Sequence, residues 1–169
     1  GKTALALNIA QNVAKQGKSV GIMSLEMSKE QLVERMFCAL LQVDSWKMKT
    51  GQLTDEDFSR IGPVMEELNN YKIFLDDSIG NSLPELRAKA RRLQMEHGLD
   101  VLVLDYLQLM SSGKAGGNFA NRVNEISEIS RSLKALAREL HIPIIALSQL
   151  SRAVEARPNK IPILSDLRE

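Results

Sequence analysis

The sequence predicts an α/β fold in which a mainly parallel sheet is flanked by helices. Four short aliphatic runs, at residues 20–25, 73–75, 101–104 and 142–147, alternate along the chain with amphipathic helical patterns. The runs are almost continuously apolar, as expected for parallel strands that are covered on both faces. Repetition of strand, helix and strand produces right-handed crossovers, and therefore a parallel sheet.

The helices between these runs have recognisable starts. Three pairs have the spacing of a capping box, in which a Ser or Thr side chain and an acid or amide three residues later satisfy each other's backbone N–H groups: Ser28 with Gln31, Thr54 with Asp57, and Ser82 with Glu85. Apolar residues spaced three and four apart predict the longest helix at Val123, Ile126, Ile129, Leu133, Leu136 and Leu140. Met36 and Met65 lie at helical spacing and are expected to fill the core.

The composition is that of one domain with a substantial core. The chain has 169 residues, 44% of them hydrophobic and 25% charged. It contains no apolar run of about 18 residues, so no transmembrane segment is expected. Its single cysteine, Cys38, excludes an internal disulfide and a cysteine zinc cluster, which fits the reducing cytoplasm. Because the net charge is only +1, any contact with nucleic acid must depend on local positive charge.

Two loops follow strand ends. Residues 111–118 are rich in glycine and are expected to be mobile, and residues 152–160 cannot be regular throughout because of Pro158. Open α/β sheets bind their ligands beyond the carboxyl ends of the strands. Both loops are therefore expected at the ligand-binding edge.

Gly1, Lys2 and Thr3 run directly into a helix-forming segment and match the second half of a phosphate-binding loop, G-x-x-x-x-G-K-[ST]. In such a loop the helix N-terminus holds phosphates, the lysine reaches the β- and γ-phosphates, and the hydroxyl binds magnesium. The tripeptide alone would also fit an ordinary helix start.

Three polar residues at strand tips strengthen this interpretation. Asp105 closes an aliphatic run, as a magnesium-holding Walker B aspartate does. Glu26 follows the first run and can polarise an attacking water, whereas Gln149 follows the last run and can bond a γ-phosphate. Each residue could instead be a solvated strand end. Together they predict a nucleotide site at one edge of the sheet.

Five segments resemble the DnaB family of bacterial replicative helicases, within the wider RecA-like group. They are residues 24–28 (SLEMS), 103–109 (VLDYLQL), 127–140 (SEISRSLKALAREL), 146–152 (ALSQLSR) and 164–169 (LSDLRE). The resemblance runs from end to end and implies a RecA-like P-loop NTPase core over residues 1–169. It also implies ATP and Mg²⁺ as cofactors, a homohexameric ring around single-stranded DNA, and primase and helicase-loader partners in the cytoplasm.

The resemblance also assigns roles to single residues. Gly1, Lys2 and Thr3 match the nucleotide-binding loop, with Thr3 and Asp105 at the metal. Glu26 matches the glutamate that activates water, and Gln149 the γ-phosphate sensor. Arg168 and Glu169 match the start of the DNA-backbone-binding loop, and Arg152 and Arg157 lie in the stretch leading to it.

The sequence departs from the family pattern at both ends. The first half of the phosphate loop, the strand before it and the family's arginine finger are absent, so the domain is expected to be partial and to lack one strand beside that of Gln149. An arginine finger supplied by a neighbouring subunit can contribute about 10³–10⁵ in rate. The isolated chain is therefore expected to hydrolyse ATP weakly.

Other functions share some of these features. A RecA-type recombinase would have the same sheet and strand-tip carboxylates, and a nucleotide-binding assembly module would need neither Glu26 nor Gln149. A small-molecule kinase would need a lid of arginines, but the basic cluster Lys89, Arg91 and Arg92 falls on a predicted helix face and is expected to be solvated or to form a subunit contact.

Overall fold

The fold, seen in a computed structural model, is a four-stranded parallel sheet with helices on both faces. The structure describes residues 1–78, 80, 82–105, 107–110, 119–157 and 159–167; for residues 119–124, 152, 164 and 165 it describes the backbone only. The glycine-rich segment 111–118 lies outside the described residues. The predicted α/β class and parallel sheet are confirmed.

The elements follow the order that the sequence predicts, with two additions, a short helix and a set of 3₁₀ turns. The helices and strands are α1 (Lys2–Lys15), β1 (Val20–Ser24), α2 (Lys29–Leu41), α3 (Ser45–Thr50), α4 (Asp55–Asn69), β2 (Ile73–Asp76), α5 (Leu83–His97), β3 (Val101–Asp105), α6 (Phe119–Leu140) and β4 (Ile144–Ala146). The 3₁₀ turns are Leu107–Leu109, Arg152–Val154 and Leu164–Leu167.

The sheet has the strand order β2-β1-β3-β4, and every pairing is parallel. Ser24, the last residue of β1, lies opposite Asp105, the last residue of β3. The carboxyl ends of the two central strands therefore meet at one edge. Among the described strands, β2 and β4 form the two edges of the sheet and are each paired on one side only.

Alternate residues of the central strands supply two separate cores, which explains why the strand sequences are continuously apolar. Val20, Ile22 and Val103 pack against α1 and α2. Met23, Leu102 and Leu104 pack on the other face against α5 and α6, in a cluster that includes Ile129, Leu133, Leu136 and Leu140. The predicted buried face of α6 is confirmed for these four residues.

Two of the three predicted capping boxes form. Ser28 with Gln31 and Thr54 with Asp57 make both reciprocal hydrogen bonds. Ser82 is the N-cap of α5 but makes no side-chain cap hydrogen bond, so the expected box is wrong there. The Glu85 carboxylate instead lies 3.6 Å from the Lys89 ammonium, one turn further along the helix.

One of the two predicted core methionines is exposed. Met36 is buried between α2 and the sheet, but 48% of Met65 is accessible to solvent, so its predicted place in the core is wrong. The reason is that the face of α4 that packs against α2 runs along Ile61, Val64 and Leu68. Met65 lies beside that face on the solvent side.

The last strand is shorter than its aliphatic run. Helix α6 ends at Leu140, and His141 takes a left-handed conformation with φ of 55°. The N–H of Ile142 then donates to the carbonyl of Ala137. Ile142 therefore closes the helix and does not begin the strand. In the described part of the chain, no helix combines the length and the apolar character needed to cross a membrane.

Candidate nucleotide site

The site is built on the carboxyl ends of β1 and β3. Beyond the last paired residues, the N–H of Leu25 donates to the carbonyl of Asp105 at 2.7 Å. This bond continues the ladder by one step and so fixes the chain just before Glu26. Ser24 adds a local turn, because its hydroxyl accepts the N–H of Met27 at 3.0 Å. Glu26 therefore leaves the sheet at a defined position next to Asp105.

Helix α1 brings its N-terminus to the same edge. Its apolar face, with Ala6, Leu7 and Ala10, is buried against the sheet. The Thr3 hydroxyl donates to Asp105 Oδ2 at 2.7 Å, which anchors the first turn to the tip of β3. The N-cap is Gly1, which makes no side-chain cap bond, and the first turn contains no acidic residue. The N-terminal end of the helix dipole thus offers positive potential with no acidic side chain in its first turn.

Lys2 lies between the two carboxylates. Its ammonium is 3.5 Å from Glu26 Oε2 and 3.9 Å from Asp105 Oδ1. About half of the Glu26 side chain is exposed to solvent, whereas the Asp105 side chain is almost fully buried. Glu26 can therefore contact water directly, and Asp105 is suited to hold a fixed cation.

One oxygen of the Asp105 carboxylate accepts no hydrogen bond from the described residues. Oδ2 accepts the Thr3 hydroxyl, but the buried Oδ1 has no hydrogen-bond partner among the described residues. Leaving a buried acceptor unsatisfied is costly, so this oxygen fits a site that a cation completes. Mg²⁺ is commonly bound by one or two carboxylates together with substrate phosphates, and the Asp105 and Thr3 oxygens match that donor set. Within the described ranges, no group of three His, Cys, Asp or Glu side chains could hold a metal by itself.

Gln149 lies beyond the adjacent strand β4, three residues after the pair formed by Ala146 and Leu104. Its backbone is held by Gln108, which is not among the predicted site residues. The N–H of Gln149 donates to Gln108 Oε1 at 3.1 Å, and its carbonyl accepts Gln108 Nε2 at 2.9 Å. The four residues Lys2, Thr3, Glu26 and Asp105 are thus in direct or near contact, and Gln149 follows at the neighbouring strand tip.

The predicted DNA-binding residues are only partly described. Arg168 and Glu169 lie outside the described residues, and for Arg152 only the backbone is described. The Arg157 guanidinium makes two hydrogen bonds to the Asp166 carboxylate, at 2.7 and 2.6 Å. It therefore closes the loop that precedes Arg168.

Asp166 is the buried centre of that loop. Its carboxylate also accepts the N–H of Ile163 at 2.7 Å, and its carbonyl accepts the N–H of Ser151 at 2.8 Å. The hydrogen bonds from Arg157 and from the Ile163 backbone hold the pKa of this carboxyl below its ordinary value. We refer to Arg157 and Asp166 with these backbone contacts as the loop clasp.

The basic cluster on α5 is engaged in ion pairs. Lys89 lies 3.1 Å from Asp76, Arg91 pairs with Glu139 on α6, and Arg92 pairs with Glu96. These ion pairs fit a helix face, as the sequence predicted over an arginine lid, and the face remains open to solvent or to a subunit contact.

Comparisons with known proteins agree on one family. The DnaB-like helicase C terminal domain matches residues 1–169. The chain is 54% identical over 170 residues to the replicative DNA helicase DnaB of Geobacillus stearothermophilus, covering all of this chain and 37% of that protein. It is 53% identical to the replicative DNA helicase DnaC of Bacillus subtilis (strain 168), with the same coverage. The chain thus spans less than two-fifths of the length of these relatives.

Solved structures show the same fold. The structure of a DnaB-like replicative helicase, described together with its interactions with primase, superposes with a TM-score of 0.90 at 38% identity. The match covers 99% of this chain and 40% of that one. An ATPase domain superposes equally well, with 99% and 59% of the two chains covered.

Proposed function

Because this chain belongs to the DnaB-like helicase C-terminal domain family, we propose that it is the ATP-hydrolysing motor core of a replicative DNA helicase. The observation that carries the proposal is the convergence of Lys2, Thr3, Glu26 and Asp105 at the carboxyl edge of the sheet. This set contains a cation for phosphate, a hydroxyl and a carboxylate for a metal, and a second carboxylate for water.

The roles follow from exposure and contacts. The N-terminal amides of α1 and the Lys2 ammonium bind the phosphates of ATP. Asp105 and Thr3 would hold Mg²⁺, which neutralises charge on the β- and γ-phosphates when it is bound. Glu26, half exposed and next to Lys2, orients the attacking water and accepts its proton.

Gln149 and the loop behind it connect this chemistry to DNA. Gln149 forms a hydrogen bond with the γ-phosphate. Hydrolysis removes this contact, and the change shifts residues 150–162. Arg152, Arg157, Arg168 and Glu169 lie in or beyond this segment, where basic side chains and backbone amides give a sequence-independent grip on single-stranded DNA. Arg157 contributes by holding the loop through Asp166.

The whole protein is proposed to act as a homohexameric ring in the cytoplasm, with primase and a helicase loader as partners. The primase proposal is supported by the structure of a DnaB-like replicative helicase that was described together with its interactions with primase. The family match favours this assembly over a RecA-type recombinase filament and over an assembly module without motor activity. Electron micrographs of the full-length protein with ATP should show closed rings; open filaments would favour the recombinase.

The proposal is tested by Glu26→Gln in the full-length protein. The amide keeps the size of the side chain but cannot accept the proton, so we expect ATP binding to persist and the turnover to fall by about 10²–10⁴-fold, with loss of unwinding. Phosphate release and strand separation would be measured together with nucleotide binding. Glu56→Gln, on the exposed first turn of α4, is the matched control and should leave all three unchanged. Full turnover in Glu26→Gln would remove this residue from catalysis.

A further inference from the structure

The side-chain amide of Gln108 pairs with the backbone of Gln149 as a residue of a neighbouring strand would. It lies in the 3₁₀ turn that follows β3, and its amide accepts from the Gln149 N–H while donating to the Gln149 carbonyl, at 3.1 and 2.9 Å. Both backbone groups of one residue are therefore paired by one side chain. The assignment of the amide oxygen and nitrogen follows from these partners, because the N–H requires an acceptor and the carbonyl requires a donor.

This amide extends the connection between β3 and β4 beyond the end of the sheet. Regular pairing ends with Leu104 and Ala146. The N–H of Leu147 then donates to the Leu104 carbonyl, and the Leu147 carbonyl accepts the N–H of Leu107, both at 2.9 Å. Gln108 adds the next step, and its Nε2 also lies 2.8 Å from the Ser148 hydroxyl. The ladder thus runs without interruption from the strand of Asp105 to Gln149.

From this geometry we propose that Gln108 is a positioning residue, which fixes the backbone of Gln149 so that its side chain meets the γ-phosphate. The proposal rests on the function proposed above and adds a residue to it. With its N–H and carbonyl both engaged, Gln149 has little freedom in φ and ψ, and its side chain leaves from a fixed Cα. Because Gln108 follows Asp105 by three residues, the metal-binding strand and the sensor are held by one short segment.

A role of Gln108 in stability alone explains these contacts less well than the positioning role does. Gln149 is exposed at the surface, where a hydrogen bond that water can replace contributes little to folding. The main effect of losing this amide is therefore a loss of order at Gln149. Since the sensor acts on the terminal phosphate, that loss should appear in turnover and much less in nucleotide affinity, which Lys2, Thr3 and the α1 amides dominate.

The test is a double-mutant cycle in the full-length protein, with Gln108→Leu, Gln149→Ala and the combined variant. We expect each single change to lower kcat for ATP by about tenfold, the effect of one well-placed hydrogen bond, with KM for ATP nearly unchanged. Because Gln108 acts through Gln149, the combined variant should be no slower than Gln149→Ala alone. Gln108→Glu keeps the size and the acceptor for the Gln149 N–H but loses the donor, and should have a similarly reduced kcat.

The control is Gln94→Leu. Gln94 also uses its side-chain amide on a backbone carbonyl, that of Leu140 at 2.8 Å, but between α5 and α6. Its loss should lower the melting temperature without changing kcat. Additive effects of the two site changes, or normal kcat in both Gln108 variants beside a slow Gln149→Ala, would overturn the positioning role alone. Normal kcat in Gln149→Ala would instead overturn the sensor assignment of the proposed function, and the role of Gln108 with it.

Discussion

At the scale of single residues, the buried carboxylates of this chain have different tasks. Asp105 keeps one oxygen without a hydrogen-bond partner in the described chain, whereas Asp166 uses both oxygens within its loop. An unsatisfied buried acceptor is unfavourable for folding and is retained where a ligand completes it. A fully bonded one stabilises local structure. The contrast supports the proposed roles, in which Asp105 binds a metal and Asp166 stabilises its loop.

The loop clasp makes a prediction about pH. The pKa of Asp166 is lowered in the folded protein, mainly by the hydrogen bond from Arg157. A lowered pKa means that the contribution of the carboxylate to stability is present above its unfolded pKa and is lost as the pH falls through the folded value. We expect Asp166→Asn to be less stable than the native protein near neutral pH, and the difference to shrink as acid protonates Asp166. Urea unfolding of both proteins over a pH series measures this difference.

Arg157→Lys provides the matched comparison for the clasp. Lysine keeps the charge but cannot make the two parallel bonds that Arg157 makes to Asp166. It should therefore weaken single-stranded DNA binding through loss of loop order even though no charge is removed. A stability difference between native protein and Asp166→Asn that persists unchanged into acid would contradict the proposed linkage.

At the scale of elements, local patterns predicted the fold well because each pattern has a local cause. The capping boxes at Ser28 and Thr54 and the buried face of α6 depend on residues three or four positions apart, and they are present. The Met65 error arises because tertiary contacts decide which face of a helix is buried. Met65 matches helical spacing, but the face of α4 that packs on α2 runs through Ile61, Val64 and Leu68, and Met65 lies beside that face.

The same distinction applies to the site. Glu26 and Asp105 could be found because parallel strands bring all their carboxyl ends to one edge, so strand tips identify candidates without knowledge of strand order. Gln108 and the clasp could not be found in this way. Gln108 acts on a residue 41 positions away, and Asp166 is defined by a turn inside an irregular loop. The sequence shows only that an amide follows Asp105 by three residues. Its contact with the backbone of Gln149 becomes evident only in the folded structure.

Gly21 shows how closely β1 packs against α5. A Cβ at this position would lie 2.8 Å from Leu93 Cδ2 and 3.1 Å from Leu99 Cδ1. Valine would suit a strand by propensity, but here it must displace these side chains. We expect Gly21→Val to lower the free energy of unfolding by about 1–3 kcal/mol, the usual cost of overpacking. Denaturant titration of the full-length protein checks the value.

The control for Gly21 is Gly62 in α4. A Cβ there meets nothing within 4 Å, and the residue lies inside a helix. Gly62→Ala should therefore raise stability by about 0.5–1 kcal/mol, because alanine loses less backbone entropy. If Gly21→Val were as stable as the native protein, the close contact between β1 and α5 would not be rigid.

At the scale of the whole molecule, the positive charge that the described residues bring to the site does not balance the negative charge of a bound nucleoside triphosphate. Lys2 is the cation that the described residues bring to two carboxylates, Glu26 and Asp105. Binding a nucleoside triphosphate adds several further negative charges, and more negative charge develops on the equatorial oxygens during phosphoryl transfer. In the proposed function, Mg²⁺ would supply part of the missing positive charge. A cation from a neighbouring subunit is the remaining source that the family resemblance implies.

This balance predicts that turnover depends on assembly. In the full-length protein, ATP turnover per subunit should rise with protein concentration in parallel with ring formation, and a cation supplied by a neighbour can account for about 10³-fold or more of that rise. Phosphate release would be measured across a dilution series, with the oligomeric state followed by analytical ultracentrifugation in the same buffer. Nucleotide binding should change much less than turnover, because Lys2, Thr3 and the amides of α1 belong to one subunit. Turnover per subunit that stays constant while the rings dissociate would mean that one chain balances the phosphate charge alone, and the ring would then serve DNA translocation without completing the catalytic site.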